Sequence, residues 1–459
     1  MSRRPFAAEA TARGYRFARM AYDSALHARR RAAIIEQMRS QGGGVLLLPQ
    51  AEEKLRNNDA EYVFRPDSDH LYVSGFEEPS GAAVLVVPPQ GPTRFVLFVR
   101  PKDPEKEIWT GRRAGVEGAC AVYGADDAFP VGELEARLTE LVDGAPRLWF
   151  RIGSDAAWDA RVSRILVDLR QRSRAGAAAP AEVVDPARLV HELRLVKSPE
   201  EIARLKRAAE ITAEAHMAAM RDGEPGRREY QVQAEIEYAF RRRGGNGPGY
   251  GTIVATGENA CVLHYRAGDS QLKDGELCLV DAGGEYDWYT ADVTRTFPVS
   301  GDFTKPQRAL YEAVLAAQEE AIHAVRPGTT IDAIHELTVR RLTESLIRLG
   351  FLHGSAEERI ADRAFRKYYM HRTSHWLGLD VHDVGAYTLN GGARPLAPGM
   401  VITVEPGLYV PPNDTSAPDG LRGVGIRIED DVLVTESGFE VLTAAAPKDP
   451  REVEAVCVR

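Results

Sequence analysis

The sequence predicts a two-domain α/β chain, and three observations predict it. At 459 residues the chain exceeds what one hydrophobic core ordinarily organises. Strand-length apolar runs alternate with amphipathic helical stretches along it. A composition shift between 175 and 190, with an alanine-rich linker over 175–180, separates two such series. We place the boundary near residue 190. This gives an N-terminal α/β domain over 1–190 and a C-terminal domain over 191–459.

In the first domain a basic helical segment over 28–39 leads through Gly42-Gly43-Gly44 into a strand over 45–48. Ala82–Val87 and Arg94–Val99 read as strands, separated by a Pro/Gly turn over 88–92. Asp185-Pro186 signals a turn. Ser198-Pro199-Glu200-Glu201 then starts a helix. Ser198 can cap it, Pro199 suits the first helical position, and Glu201 can reach back to close a capping box. In the second domain Leu277–Asp281 and 291–299 read as strands joined by a turn around 283–287. Helices over 305–325 and 331–349 follow, then strands over 401–405, 423–429 and 431–435.

Charge and cysteine usage exclude several classes. With 58 basic against 67 acidic residues the net charge is −9, which disfavours a phosphate backbone as partner. Cys120, Cys261, Cys278 and Cys457 form no CxxC pair, so neither a zinc ribbon nor a redox motif is expected. Scattered thiols fit a reducing compartment. No apolar run reaches the roughly 18 residues of a membrane span. The first twenty residues are Arg-rich, with Glu9 as the one acid, and lack the apolar centre of a secretory signal. We read them as a basic arm on a cytoplasmic protein.

The functional signal is a set of acids inside apolar strands. Asp281 ends Leu277-Cys278-Leu279-Val280-Asp281, and Asp292 follows eleven residues later, before Val293-Thr294-Arg295. Glu405 ends Val401-Ile402-Thr403-Val404. In Val424-Gly425-Ile426-Arg427-Ile428-Glu429, alternation puts Arg427 and Glu429 on one face. A buried carboxylate is costly to desolvate unless a cation pairs with it. A histidine cluster, His371, His375 and His382, lies between the two pairs of acids, and His264 precedes them all. Taken singly, such an Asp is more often a capped turn and such a His a satisfied core residue. Two Asp, a His and two Glu in that order are hard to obtain by chance.

These motifs resemble the pita-bread metallopeptidases, and within them aminopeptidase P. The resemblance is carried by Asp281-Ala282-Gly283-Gly284 with Ala291-Asp292-Val293-Thr294, by Ser374-His375-Trp376-Leu377-Gly378 with Val381-His382-Asp383-Val384-Gly385, by Val404-Glu405-Pro406-Gly407, and by Gly425-Ile426-Arg427-Ile428-Glu429. It extends into the first domain through Arg65-Pro66-Asp67-Ser68-Asp69-His70 and Ile108-Trp109-Thr110-Gly111-Arg112-Arg113. The chain departs from the family at Arg372-Thr373, where Gly-Leu or Gly-Met is common.

The resemblance implies an α+β pita-bread catalytic domain behind an N-terminal domain of the creatinase and aminopeptidase P type. It implies an aminopeptidase that removes the residue preceding a proline; the alternative is an Xaa-Pro dipeptidase of the same fold. It implies Asp281, Asp292, His375, Glu405 and Glu429 as ligands of two divalent ions. Four carboxylates against one imidazole favour a hard ion, so Mn²⁺ is the first choice, with Zn²⁺ or Co²⁺ able to take its place. It implies Glu405 as the base, with His264 and His382 binding substrate and stabilising the tetrahedral intermediate. His371 then lines the proline side, and Arg427 supports the ligand carboxylates from within the substrate site. Trp109, on an exposed loop, completes the proline pocket of another chain in a homotetramer or dimer. Retention of all five ligands argues against creatinase and against an inactive binding module, and the large first domain argues against methionine aminopeptidase.

Overall fold

The strand-forming runs of the first domain are apolar along their whole length, which requires cover on both faces. The computed structural model, which describes residues 23–457, meets this with a six-stranded mixed sheet. The basic arm expected over the first twenty residues lies outside the described residues. The strand order is Asp127–Pro130, Arg94–Val99, Ala82–Val87, Gly44–Pro49, Arg147–Trp149, Glu182–Val184. The two central pairings are antiparallel and the outer three parallel. Helices Leu134–Val142 and Ala156–Gln171 pack Leu134, Leu138, Trp158, Val162 and Ile165 against Val45, Leu47, Val84 and Val96. Gly44 has φ 129°, and a Cβ there would stand 2.5 Å from the Arg147 carbonyl oxygen. Only glycine permits that approach of the parallel strand.

The chain divides into two compact units between Arg194 and Leu195. The alanine-rich stretch over 175–180 is not a linker between them. It precedes the edge strand Glu182–Val184, inside the first unit. Small residues suit it because it only carries the chain to the last strand of the sheet.

In the second unit the helix Pro199–Asp222 begins with the capping box of Ser198 and Glu201. Its Ala208, Ala209, Ala215 and Ala219 let the helix Glu229–Arg242 approach closely. Val232, Ile236 and Phe240 of that helix share one core with Cys278, Val280 and Phe297 of the strands. Helices Lys305–His323 and Ile331–Arg348 follow where a 3.6-residue period places them.

The strands form two antiparallel ribbons, each interrupted partway. In the first, Leu277–Asp281 pairs with Thr294–Pro298, Asp281 lying opposite Thr294. The segment between them is a second hairpin, Gly284–Tyr286 with Tyr289–Thr290, turning through Asp287 and Trp288 at φ 49° and 71°. The simple turn expected around 283–287 is thus a hairpin in its own right, and the strand expected over 291–299 begins only at Thr294. In the second ribbon Val401–Val404 pairs with Asp430–Val434, and Gly407–Tyr409 pairs with Gly425–Arg427. The strand expected over 423–429 therefore stops at Arg427. Residues beside the breaks bond across to the other ribbon. The Asp292 amide donates to Asp431 Oδ2 at 3.1 Å and the Glu429 amide to the Thr294 carbonyl at 3.1 Å. Among the described residues no helix is long and apolar enough to cross a membrane.

One ion-pair cluster in the first unit sets an acid limit on stability. Asp69, in helix Ser68–Ser74, lies 2.9 Å from His191 Nε2 and accepts from Arg194 at 2.6 Å. Burial alone raises its carboxyl, but His191 and Arg194 outweigh that and hold it at about 2. A depressed carboxyl contributes stability that is complete above its unfolded value and lost as pH falls through the folded one. Asp69→Asn is therefore expected to lose roughly 2–3 kcal/mol at pH 7. The loss should shrink as pH is lowered from about 4 towards 2. Urea unfolding at pH 7 and pH 3 measures both; equal losses at the two values would refute the assignment.

Candidate metal centre

The ribbon breaks carry the acids that the sequence singles out. Asp281 ends one strand and Asp292 stands just before its partner; Glu405 follows Val404, and Glu429 precedes Asp430. All four, with His375, line one cavity of about 640 Å³ within the second unit. One ligand atom from each of Asp292, His375 and Glu429 lies within 4.8 Å of the others. His375 Nε2 is 3.3 Å from Asp292 Oδ2 and 3.6 Å from Glu405 Oε1.

Backbone pairing aims the histidine. The Thr403 amide donates to the His375 carbonyl at 3.0 Å, and the Glu405 amide to the Thr373 carbonyl at 2.8 Å. The segment around His375 thus runs beside the strand that ends at Glu405. His375 Nδ1 lies 3.0 Å from the Trp376 carbonyl oxygen. A carbonyl only accepts, so Nδ1 carries a proton and Nε2 is the ring nitrogen that faces the acids.

The electrostatics of the cluster call for a cation. Burial pushes the Asp292 carboxyl up, and the Asp281 charge adds to it. Burial, with Asp292 and Asp281 nearby, pushes Glu405 up to about 7. Glu429 is raised well above the carboxylate range by burial and by Asp292, Glu405 and Asp281. Tyr250 Oη lies 2.7 Å from Asp281 Oδ1 and 2.5 Å from Asp292 Oδ1, yet has one proton to give. Arg427 meets only part of the demand. It donates to Asp281 Oδ2 at 2.6 Å, to Tyr409 Oη at 2.9 Å and to Thr294 Oγ1 at 3.0 Å. Hard oxygen donors, one imidazole and unbalanced negative charge together fit divalent cations.

The remaining sequence candidates fall in three places. His264, His371 and His382 all line the same cavity. The His382 ring meets that of His375 edge-on at 4.5 Å, and His371 Nε2 lies 2.8 Å from Tyr409 Oη. Burial, with Arg427 nearby, pushes His371 down to about 4. Arg427 also lines the cavity, but its bonds run to Asp281 and not to Glu429, which shares its strand face. Trp109 belongs to the first unit, on the short helix Pro104–Thr110 and not on a loop. Asp103 caps that helix and Pro104 starts it, which explains why the segment is helical. Trp109 is 87% exposed and Ile108 81%. The departure from the family splits in two. Arg372 pairs with Asp332, both lining the cavity, whereas Thr373 is buried between His335 Nδ1 at 2.9 Å and Tyr369 Oη at 2.7 Å.

Sequence reasoning missed Tyr250, Thr294 and Asp431. Thr294 Oγ1 donates to Glu429 Oε2 at 2.7 Å, and buried Asp431 accepts from the Asp292 amide. Tyr250 sits in a glycine-rich loop with no periodic signal. The acid run Glu429-Asp430-Asp431 is visible in the sequence, but nothing there separates its three roles.

Carboxylates and one imidazole converging on a cavity between broken antiparallel ribbons define a metal-dependent enzyme. The chain belongs to metallopeptidase family M24, whose model matches residues 203–436, and residues 27–149 match the N-terminal domain of aminopeptidase P. It is 46% identical to the Xaa-Pro aminopeptidase of Escherichia coli over 94% of this chain and 97% of that one. Among solved structures it superimposes on the aminopeptidase PepP of Pseudomonas aeruginosa with a TM-score of 0.93 and 46% identity, covering 96% of this chain and 99% of the other. An E. coli aminopeptidase P variant in complex with substrate matches with a TM-score of 0.92 and 45% identity, over 95% and 98% of the two chains. The two-domain organisation expected of the family, with a pita-bread second domain, is borne out.

Asp281→Ala, Asp292→Ala, His375→Ala and Glu429→Ala are each expected to lower bound divalent metal and abolish peptidase activity. Metal analysis of the purified variants, alongside peptide cleavage, checks this. Full activity at unchanged metal content would remove that residue from the site.

Proposed function

We propose that the chain hydrolyses the bond between an N-terminal residue and a following proline in peptides. The observation that carries this reading is the meeting of Asp292, His375 and Glu429 in one cavity of an M24 chain nearly half identical to an Xaa-Pro aminopeptidase. Asp281, Asp292, His375, Glu405 and Glu429 would hold two divalent ions between them. Mn²⁺ is the first choice, as the carboxylate-rich donor set favours, and Zn²⁺ or Co²⁺ fit the same donors. Such ions supply Lewis acidity and a nucleophile near neutral pH.

The side chains do the rest. Glu405 takes a proton from the attacking water. His264 and His382 hold the substrate carbonyl and the oxyanion that grows on it. His371, neutral and tied to Tyr409, lines the proline side. Arg427 holds Asp281 in place from within the cavity wall. An X-Pro bond lacks the N–H that general peptidases recognise, so an apolar cover for the ring is needed. Exposed Trp109 offers one to another copy of the chain in a homotetramer or dimer, because an indole face contacts a pyrrolidine ring without requiring a donor. The four cysteines are free thiols, which suits a cytoplasmic location.

Cleavage of Xaa-Pro-Xaa tripeptides by the metal-depleted protein, before and after Mn²⁺ addition, tests the activity. An Xaa-Pro dipeptide serves as the comparison. Cleavage of the dipeptide alone would turn the assignment to a dipeptidase. His382→Ala should keep its metal and lose turnover by about 10²-fold, as when an oxyanion donor is removed. Loss of metal instead would make His382 a ligand. Trp109→Ala should lower the solution mass, the peptide kcat/KM, or both. Unchanged values of both would end the shared-site idea.

A further inference from the structure

Outside the acid cluster the second unit buries another carboxylate, Glu229, the first residue of helix Glu229–Arg242. It is fully buried, and the groups that hydrogen-bond to its carboxylate are uncharged. Four donors satisfy it instead. Oε1 accepts from the Thr256 amide and from Asn259 Nδ2, both at 2.9 Å. Oε2 accepts from Tyr265 Oη at 2.9 Å and from the Ser270 amide at 3.1 Å. All four belong to one stretch, 256–270, which leaves the strand Ile253–Thr256 and carries His264 past the cavity. The same helix end adds two bonds from its otherwise unpaired amides. Glu229 donates to the Ser270 carbonyl at 3.0 Å and Tyr230 to the Gly268 carbonyl at 2.7 Å.

We infer that Glu229 is a positioning residue that holds the loop of His264, and so sets where that imidazole meets the substrate. The inference rests on the substrate-binding role proposed for His264. His264 is itself exposed, and neither of its ring nitrogens is held by a hydrogen bond in the structure. Its place is set by the chain on either side, and Tyr265, the next residue, is tied directly to Glu229. The carboxylate is required as such. Each of its oxygens faces a backbone N–H, of Thr256 or of Ser270, and a backbone N–H cannot reverse into an acceptor. A glutamine must therefore set its NH₂ against one of them, leaving a buried donor unmet.

The test uses Glu229→Gln, Tyr265→Phe, His264→Ala and the two doubles with His264→Ala, each as the metal-loaded full chain. Glu229→Gln should retain its metal and lose about tenfold in kcat/KM on an Xaa-Pro-Xaa tripeptide, as displacement of a positioned group does. Amide exchange over 257–270 should quicken relative to the rest of the helix Glu229–Arg242. In the His264→Ala background the same substitution should cost less than about twofold, since the group it positions is already gone. Tyr265→Phe, which removes one hydroxyl, should shift exchange and kcat/KM the same way by less, and it carries the test if Glu229→Gln does not fold. Unchanged exchange over 257–270, or a full multiplicative loss in the double variants, overturns the inference. Full activity in His264→Ala would instead refute the role of His264, while exchange would still decide whether Glu229 holds the loop.

Discussion

The second unit depends on the ion pair between Arg295 and Asp430. Both side chains are wholly buried, with Arg295 donating to Asp430 Oδ1 at 2.7 Å. The other guanidinium bonds run to the carbonyls of Thr294, Glu429, Ala446 and Pro447. Asp430 also accepts from Thr443, Gln318 and Lys448. A buried charge costs several kcal/mol unless its bonds are complete, and here both partners approach that state. Burial alone would raise the Asp430 carboxyl, but Arg295 and Lys448 hold it at about 2. The pair locks the strand that follows Asp292 to the residue that follows Glu429. Two acids from separate ribbons are thereby held together against their mutual repulsion.

Breaks in the ribbons turn that lock into a site. An unbroken antiparallel ladder would fill the space with alternating side chains and leave no cavity. Stopping the ladders at Asp281, before Thr294, after Val404 and after Arg427 frees the intervening residues from pairing. Their carboxylates turn to one another, and cross-ribbon bonds through Thr294 and Asp431 replace the missing ladder bonds. Three consecutive acids show how partners decide function. Asp430 meets cations and is structural. Glu429 meets other acids and is available to a metal. Asp431 accepts from the backbone amide of Asp292.

Several local elements were legible because their causes are local. The Ser198–Glu201 capping box and the apolar strands Ala82–Val87 and Arg94–Val99 depend on a few adjacent residues. The ligand candidates were legible for a different reason. An acid inside an apolar run contradicts its surroundings, and Asp281, Glu405 and Glu429 each do so. The helix around Trp109 was not legible as helix, since seven residues carry too little period to outweigh the Gly and Arg that follow.

The sequence by itself determined the alternation of strands and helices, the identity of the acids and histidines, and their order along the chain. Those features follow from side-chain chemistry and from periods of two and 3.6 residues. Only the tertiary structure decided where the ribbons break, that Arg427 turns to Asp281, that Tyr250 bridges two aspartates, and that Glu229 gathers donors from the loop of His264. Each of these joins residues distant in sequence, and a buried polar group bonds to whichever partner packing brings within reach. No local pattern encodes that choice, because the cost of an unmet buried donor or charge is settled only when the whole unit closes around it.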